Sequence, residues 1–271
     1  MAHLIGVGTA RSGTGLNAVD PRRIMLAFIS QKHNQFTYFS MQLGEPDWSK
    51  KDVLDFGGNV GNILRDPNSN IDSKRYWCID VSKEAIECGR RAFPESHWID
   101  YNRRCFFFNP EGIPGLPLPR MAQTFDYIVA YSVFTNTPRS DMLELVDELR
   151  LRLNPGGALA FTFIDPHCRA WPGEYQGDNL LWRLQREQEL HPDLRIDIER
   201  IRRDAEDARW FMLVNGTDLY LESDDLPAYP SHEQRTCHVF HTEDYMRALF
   251  PNARVLPPVN NEMQHCCIIR K

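Results

Sequence analysis

A short apolar run that ends in a carboxylate and passes straight into closely spaced glycines restricts a chain more than any average property does. Here it is K-D-V-L-D-F-G-G-N-V-G-N, Lys51 to Asn62. Val53 and Leu54 lead into Asp55, and glycines follow at Gly57, Gly58 and Gly61. That order predicts a buried strand, a tight turn and a helix. Glycine is required where φ is positive or where a ligand must lie against bare main chain. The spacing G-G-x-x-G departs from the dinucleotide fingerprint G-x-G-x-x-G, and the carboxylate stands directly before the turn. Such a carboxylate would repel a pyrophosphate but could hold an ammonium group. A ligand carrying an amino acid is therefore favoured over a nicotinamide dinucleotide.

The pattern then repeats. Tyr76-Trp77-Cys78-Ile79 ends in Asp80, and His97-Trp98-Ile99 ends in Asp100. Between them Ser82 to Arg91 reads as a helix with Ser82 as its N-cap. Taken singly, Asp80 or Asp100 would pass for a cap or turn residue. Three strand-ending carboxylates in succession point to one ligand rim, where an acid ending the second strand accepts from ribose hydroxyls. Thr124 to Phe134 and Ala158 to Ile164 are nearly unbroken apolar runs, as expected of central strands covered on both faces. Ser140 to Leu153 lies between them as an amphipathic helix ended by Asn154-Pro155-Gly156-Gly157. Strand and helix alternate from Val53 to Ile164, which predicts an α/β doubly wound, mostly parallel sheet with its ligand crevice at the carboxyl ends of the strands.

Flanking this core, residues 1–50 read as an N-terminal helical segment, flexible at first and helical from Pro21 to Leu43. Within it G-V-G-T-A-R-S-G-T-G lacks the G-K-[ST] ending of a phosphate loop. Residues 51–165 are the core. Residues 166–240 change in character, rich in Asp, Arg, Glu and Pro, and read as an inserted helical and hairpin cap. The hairpin signal is Trp210 to Val214, then Asn215-Gly216, then Asp218 to Leu221, which favours a type I′ turn. Residues 241–271 supply a Thr242-capped helix and two strands, Ala253 to Leu256 and Gln264 to Ile269, that complete the sheet.

Composition narrows the function. The 271 residues are 42% hydrophobic and 25% charged, with a formal charge of -6. No basic field would draw the chain to nucleic acid or anionic lipid. The arginines between Arg195 and Arg209 are interleaved with acids, as on a solvated helix laced with ion pairs. No apolar run reaches the roughly 18 residues of a membrane span, and no signal peptide is read at the N-terminus. The 7 cysteines are odd in number and lack C-x-x-C spacing. Cys266 and Cys267 read as buried small apolar residues, and the setting as reducing and cytoplasmic.

In this order the motifs resemble the class I S-adenosylmethionine-dependent methyltransferases, over about Lys51 to Asp165 and His241 to Lys271. V-L-D-F-G-G-N-V-G looks like the first motif of that family and C-I-D-V-S like its ribose-binding motif. W-I-D-Y matches its adenine-edge position, F-D-Y-I-V-A-Y-S-V-F its fourth strand and L-N-P-G-G-A-L-A-F-T-F the turn and strand that follow. The resemblance implies a seven-stranded Rossmann-like methyltransferase fold and S-adenosyl-L-methionine as cofactor. It implies that Asp55 and the main chain of Gly57, Gly58 and Gly61 hold the methionine portion. Asp80 would take the ribose, Val81 would pack on the adenine, and Asp100 with Tyr101 would meet the adenine edge. Tyr131, Ser132 and Val133 would line the methionine side. Two departures stand out. Asn59 follows Gly58 where relatives have glycine, and Asn tolerates left-handed backbone. Thr135-Asn136 stands where many relatives carry a histidine.

Methyl transfer from a sulfonium needs mainly alignment and exclusion of water, with a base for an oxygen nucleophile of high pKa. His167 and Asp165, at the end of the fifth strand, are the candidate bases. Trp171, Tyr175 and Tyr38 are candidate substrate-binding residues, for which core packing is the plainer alternative. The expected activity is methylation of an O or N atom of a small-molecule or peptide-like metabolite. No metal, nucleic acid or membrane partner is expected, and a homodimer is allowed. Two rivals stand beside this reading: non-methyl chemistry releasing methylthioadenosine, and a partner subunit without catalysis.

Overall fold

The computed structural model describes residues 34–105, 108–169, 177–223, 236–259 and 262–271. Trp171, Tyr175, the glycine-bearing N-terminal stretch and the first part of the expected N-terminal helix lie outside them. The helix enters the described region as α1, Gln35–Leu43, closed by Gly44 at φ 85°. All elements below belong to one unit, His33–Lys271.

Seven strands make the main sheet. They are β1 (Val53–Phe56), β2 (Tyr76–Asp80), β3 (His97–Asp100), β4 (Phe125–Ala130), β5 (Leu153–Phe163), β9 (Arg254–Leu256) and β10 (His265–Arg270), in the spatial order β3-β2-β1-β4-β5-β10-β9. β1, β2, β3, β4 and β5 pair in parallel, and β10 runs antiparallel to both β5 and β9. The chain order reverses between β1 and β4, the switch point at which such sheets leave a crevice.

Alternation along the buried strands builds two cores. Leu54, Phe56, Ile128, Ala130, Leu159, Phe161 and Cys267 share one cluster with Met142, Leu145 and Leu149 of α4 (Arg139–Leu151) and Met246 of α7 (Glu243–Leu249). Val53, Val129, Tyr131, Ala158, Ala160 and Cys266 face the other way. They meet Phe36, Tyr38 and Phe39 of α1, Ile63 of α2 (Asn62–Arg65) and Ile86 of α3 (Lys83–Ala92). Both faces are covered, which is why β4 and β5 read as apolar runs rather than as alternating strands. Local signals hold where a side chain can act locally. Ser82 Oγ accepts from Ala85 N at 3.2 Å and Thr242 Oγ1 from Tyr245 N at 3.3 Å, each capping its helix.

Two strand boundaries differ from expectation, each for a backbone reason. The fourth strand stops at Ala130 rather than running to Phe134, because Ser132 takes φ 58° and leaves the extended region. The fifth begins at Leu153 rather than Ala158. Leu153 pairs with Phe125 and Ala158 with Tyr127, so Asn154 to Gly157 bulge outward between two paired positions.

The segment expected to form a cap contains α5 (Asn179–Leu190), α6 (Ile198–Ala205) and the hairpin β6 (Trp210–Val214) with β7 (Asp218–Leu221). Asn215 and Gly216 both take positive φ, as a type I′ turn demands, and Thr217 N donates to Val214 O at 3.2 Å. A third strand not read from the sequence, β8 (Cys237–His241), pairs with β6 and spans the boundary drawn at residue 240. Its other edge joins the main body: Val239 N donates to Thr135 O at 2.7 Å and His241 N to Ile164 O at 3.0 Å. β8 therefore lies against the carboxyl ends of β4 and β5. Among the described residues, no helix is long and apolar enough to cross a membrane.

Candidate functional site

β1 delivers Asp55 to the crevice in register with Cys78 of β2 and Val129 of β4. The turn follows, with φ of 74° at Gly57, 53° at Asn59 and 81° at Gly61. A Cβ on Gly57 would sit 2.4 Å from Val133 Cγ2, and one on Gly58 would sit 2.5 Å from Asp55 Cγ. The main chain of Gly58 thus covers the Asp55 carboxyl, which is 1% exposed and accepts from Tyr76 Oη at 2.8 Å. Burial pushes this carboxyl up to about 7, against the hydrogen bond from Tyr76. Asp55 was expected to hold the methionine portion; its carboxyl supports the turn from beneath.

Asp80 ties two loops together. Its Oδ2 accepts from Asn59 N at 2.8 Å and its Oδ1 from Ser82 N at 2.8 Å. Desolvation raises its pKa, while these backbone hydrogen bonds hold it down. Each oxygen keeps a lone pair for a further donor. Asp100 pairs in register with Asp80 and is exposed at the end of β3, and Val81 is half-buried beside them. Tyr101 is 2% exposed in the core, and its hydroxyl donates to Leu116 O. From there the ring supports the β3 end rather than presenting a free hydroxyl.

The end of β4 carries the most connected polar group. Ser132 N donates to Thr162 Oγ1 at 2.7 Å, and Thr162 Oγ1 donates to Gln264 Oε1 at 2.5 Å. Gln264 Nε2 returns to Ser132 Oγ at 3.2 Å, which closes a ring of hydrogen bonds across β4, β5 and the approach to β10. Thr135 Oγ1 and Asn136 Nδ2 attach to it through Ser132 O, at 3.0 and 3.2 Å. Tyr131 Oη donates to Glu262 Oε2 at 2.6 Å. Tyr38 is fully buried, edge-on to Tyr131 with ring centroids 5.6 Å apart, and donates to Gln264 O at 2.9 Å. It fastens the C-terminal segment to α1. Glu262, Gln264 and Thr162 escaped the sequence reading, since no motif marks them.

The two candidate bases lie apart in character. Asp165 Oδ1 accepts from His167 N at 2.8 Å and Cys168 N at 3.2 Å, and its Oδ2 accepts from Glu243 N at 2.7 Å. Those bonds make it the fastener between the β5 end and α7. His167 is exposed. A different histidine, His265, is 3% exposed at the same rim, with Nε2 3.4 Å from Glu243 Oε2. Burial lowers its pKa, although Asp165 and Glu243 oppose that. It faces Phe163, on the side of the sheet opposite Gln264. Among the described residues, no cluster of three or more His, Cys, Asp or Glu could hold a metal ion.

Residues 54–159, β1 through most of β5, match the protein family described as a methyltransferase domain. None of the curated protein sequences matches significantly. Solved structures resemble the fold. An S-adenosylmethionine-dependent methyltransferase from Clostridium acetobutylicum is 11% identical, with a TM-score of 0.48, over 92% of this chain and 96% of that one. DesVI of Streptomyces venezuelae is 12% identical with a TM-score of 0.48, over 92% of this chain and 98% of its own. The glycopeptide N-methyltransferase MtfA is 11% identical with a TM-score of 0.49, over 92% and 97%.

Proposed function

We propose that this chain, whose residues 54–159 match a methyltransferase domain, is an S-adenosylmethionine-dependent methyltransferase that methylates a small-molecule or peptide-like acceptor, at nitrogen before oxygen. The cofactor, when bound, supplies a methyl group on a sulfonium that needs no further activation. The residues present suit such a ligand. Asp80 and Asp100 offer acceptors to hydroxyl and amino donors, and Asn59 Oδ1 in the glycine turn is buried without a hydrogen-bond partner among the described residues. Asp80 would take the ribose, Val81 and Asp100 the adenine side, and the Gly57–Gly61 main chain with Tyr131, Ser132 and Val133 the methionine side.

One observation carries the choice of acceptor. The ring at the end of β4 is made of Ser132, Thr162 and Gln264, with Thr135 and Asn136 attached, and contains no titratable side chain. Neutral donors and acceptors can orient an amine or amide nitrogen, whereas an alcohol would need its proton removed. The protein's part in the reaction is then alignment and exclusion of water. β8 supports a small acceptor, because it lies over the carboxyl ends of β4 and β5 and narrows that side of the rim. The formal charge of -6 argues in the same direction, against a nucleic-acid acceptor.

The experiment is product analysis. The protein is incubated with S-adenosylmethionine and either the dialysable or the macromolecular fraction of a cell extract. Release of S-adenosylhomocysteine with the dialysable fraction, and a methylated nitrogen in the product, is expected. Release of methylthioadenosine, or turnover with the macromolecular fraction alone, would reject the proposal.

A further inference from the structure

The acid that the sequence put forward to meet the methionine ammonium is sealed under Gly58, and Asp80, held by backbone on both oxygens, has its remaining lone pairs given to the ribose in the function proposed above. Asp100 stands on the far edge of the sheet, at the end of β3. We infer that Glu262, presented by Tyr131, is the counter-ion of the methionine α-ammonium. The inference rests on the reading that this crevice binds S-adenosylmethionine. It places a cofactor contact about a hundred residues beyond the matched domain, in the approach to an antiparallel strand.

Position comes first. Asp55 pairs with Val129, Gly57 and Tyr131 each follow two residues on, just past the ends of β1 and β4, and the backbone of Gly57 packs on Val133. Tyr131 packs in the same cluster as Val129 and Val53, on the face that Asp55 also occupies as the partner of Val129. Its ring is 8% exposed and its hydroxyl lies 2.6 Å from Glu262 Oε2. Burial and the neighbouring carboxylate both raise the Tyr131 pKa, so the phenol remains a donor at neutral pH.

Rigidity follows from the residues next to Glu262. Met263 O accepts from Asn179 Nδ2 at 3.3 Å, and Gln264 is held through its carbonyl by Tyr38 and through its side chain by Thr162 and Ser132. The carboxylate is thus fixed beside the end of β4 rather than carried on a loose side chain.

Charge completes the case. Glu262 is half-buried and forms an ion pair with no Lys, Arg or His among the described residues. Tyr131 neutralises nothing, since a phenol donates a hydrogen bond without a charge. Asn179, 1% exposed, leaves its Oδ1 without a partner among the described residues, and so does Asn59 in the turn. Among the described residues these side-chain oxygens are acceptors in surplus. An ammonium brings three donors and one positive charge.

The test uses two nucleosides that differ in the amino-acid tail. S-Adenosylhomocysteine has the ammonium, and 5′-methylthioadenosine lacks the whole tail. Calorimetric titration of Glu262→Gln should show S-adenosylhomocysteine binding weakened about tenfold or more, as expected for loss of a charged hydrogen bond. Methylthioadenosine should bind as it does to the parent. Glu262→Asp should recover part of the loss, and Tyr131→Phe should show a smaller loss confined to the same ligand. Unchanged S-adenosylhomocysteine affinity in Glu262→Gln would overturn the assignment, and so would an equal loss for both nucleosides. A parent protein that binds neither nucleoside would overturn the cofactor reading itself.

Discussion

His241 offers the sharpest quantitative test of the packing. It is fully buried, with its ring nearly parallel to Trp210 at 6.3 Å and to Tyr245 at 6.1 Å, and both ring nitrogens lack partners among the described residues. The Arg139 guanidinium stands over Trp210 at 5.6 Å and over Tyr245 at 6.0 Å. Burial first, then Arg139, pushes the His241 pKa down from 6.5 to about 3. The folded state therefore refuses a proton that the unfolded chain accepts below about pH 6.5. Stability is unaffected above that value and falls as the pH drops from there toward 3. Linkage between the two pKa values gives a penalty of about 2 kcal/mol at about pH 5 and almost none at about pH 7.5. In His241→Phe the titrating ring is gone, and any strain from the larger ring is the same at both pH values. Urea unfolding of parent and variant at the two pH values should show the variant gaining about 2 kcal/mol relative to the parent on acidification. Equal pH dependence for the two proteins would refute the claim that a neutral, desolvated imidazole fills this slot.

Other expectations follow from single contacts. Gly58→Ala places a methyl 2.5 Å from the Asp55 carboxyl and 2.9 Å from Cys78 Sγ. It should cost about 1–3 kcal/mol by overpacking and weaken S-adenosylhomocysteine binding, both read by thermal shift with and without ligand. Asp165→Asn puts an amide N–H against a backbone N–H in at least one of its three contacts. A loss of about 1–3 kcal/mol, measured by urea unfolding, with unchanged S-adenosylhomocysteine affinity is expected if Asp165 is the fastener described above. Arg103 is 3% exposed and joins the loop after β3 to Asp141 at 3.0 Å and Glu144 at 3.2 Å on α4. Because those carboxylates are partly exposed, Arg103→Met should cost about 2 kcal/mol, below the range for fully buried pairs, again by urea unfolding.

What the sequence made legible is what the backbone enforces locally. Glycines at positive φ, a serine or threonine that accepts from the third residue of a helix, and an Asn-Gly turn each act within a few residues. Their structural positions follow from their chemistry alone. Continuous apolar runs announced strands covered on both faces. They could not announce where the ladder ends, because the end of β4 is set by φ 58° at Ser132 and a hydrogen bond to Thr162, thirty residues on. Likewise β8 was invisible. Cys-His-Val-Phe-His sets two histidines among three apolar residues as though half-exposed, yet all five positions are buried. Its two histidines are enclosed by Glu187 on one face and by Trp210 and Tyr245 on the other, partners from three other elements.

The same distinction between local and distant chemistry explains why the candidate site was only half readable. Asp55, Asp80 and Asp100 can be found because each ends an apolar run, but their side chains do not share one task. Asp55 lies under the main chain that follows it, whereas Asp80 binds the loops on either side of it. Nothing in the spacing of acids along the chain distinguishes a carboxylate that faces a ligand from one that braces the turn. That difference depends on which oxygens remain after the backbone has taken its share. Counting those oxygens shifts the search for the ammonium's partner from the first strand to Glu262. This residue ends no strand, and it reaches the rim only because β10 runs antiparallel and begins where the parallel strands end.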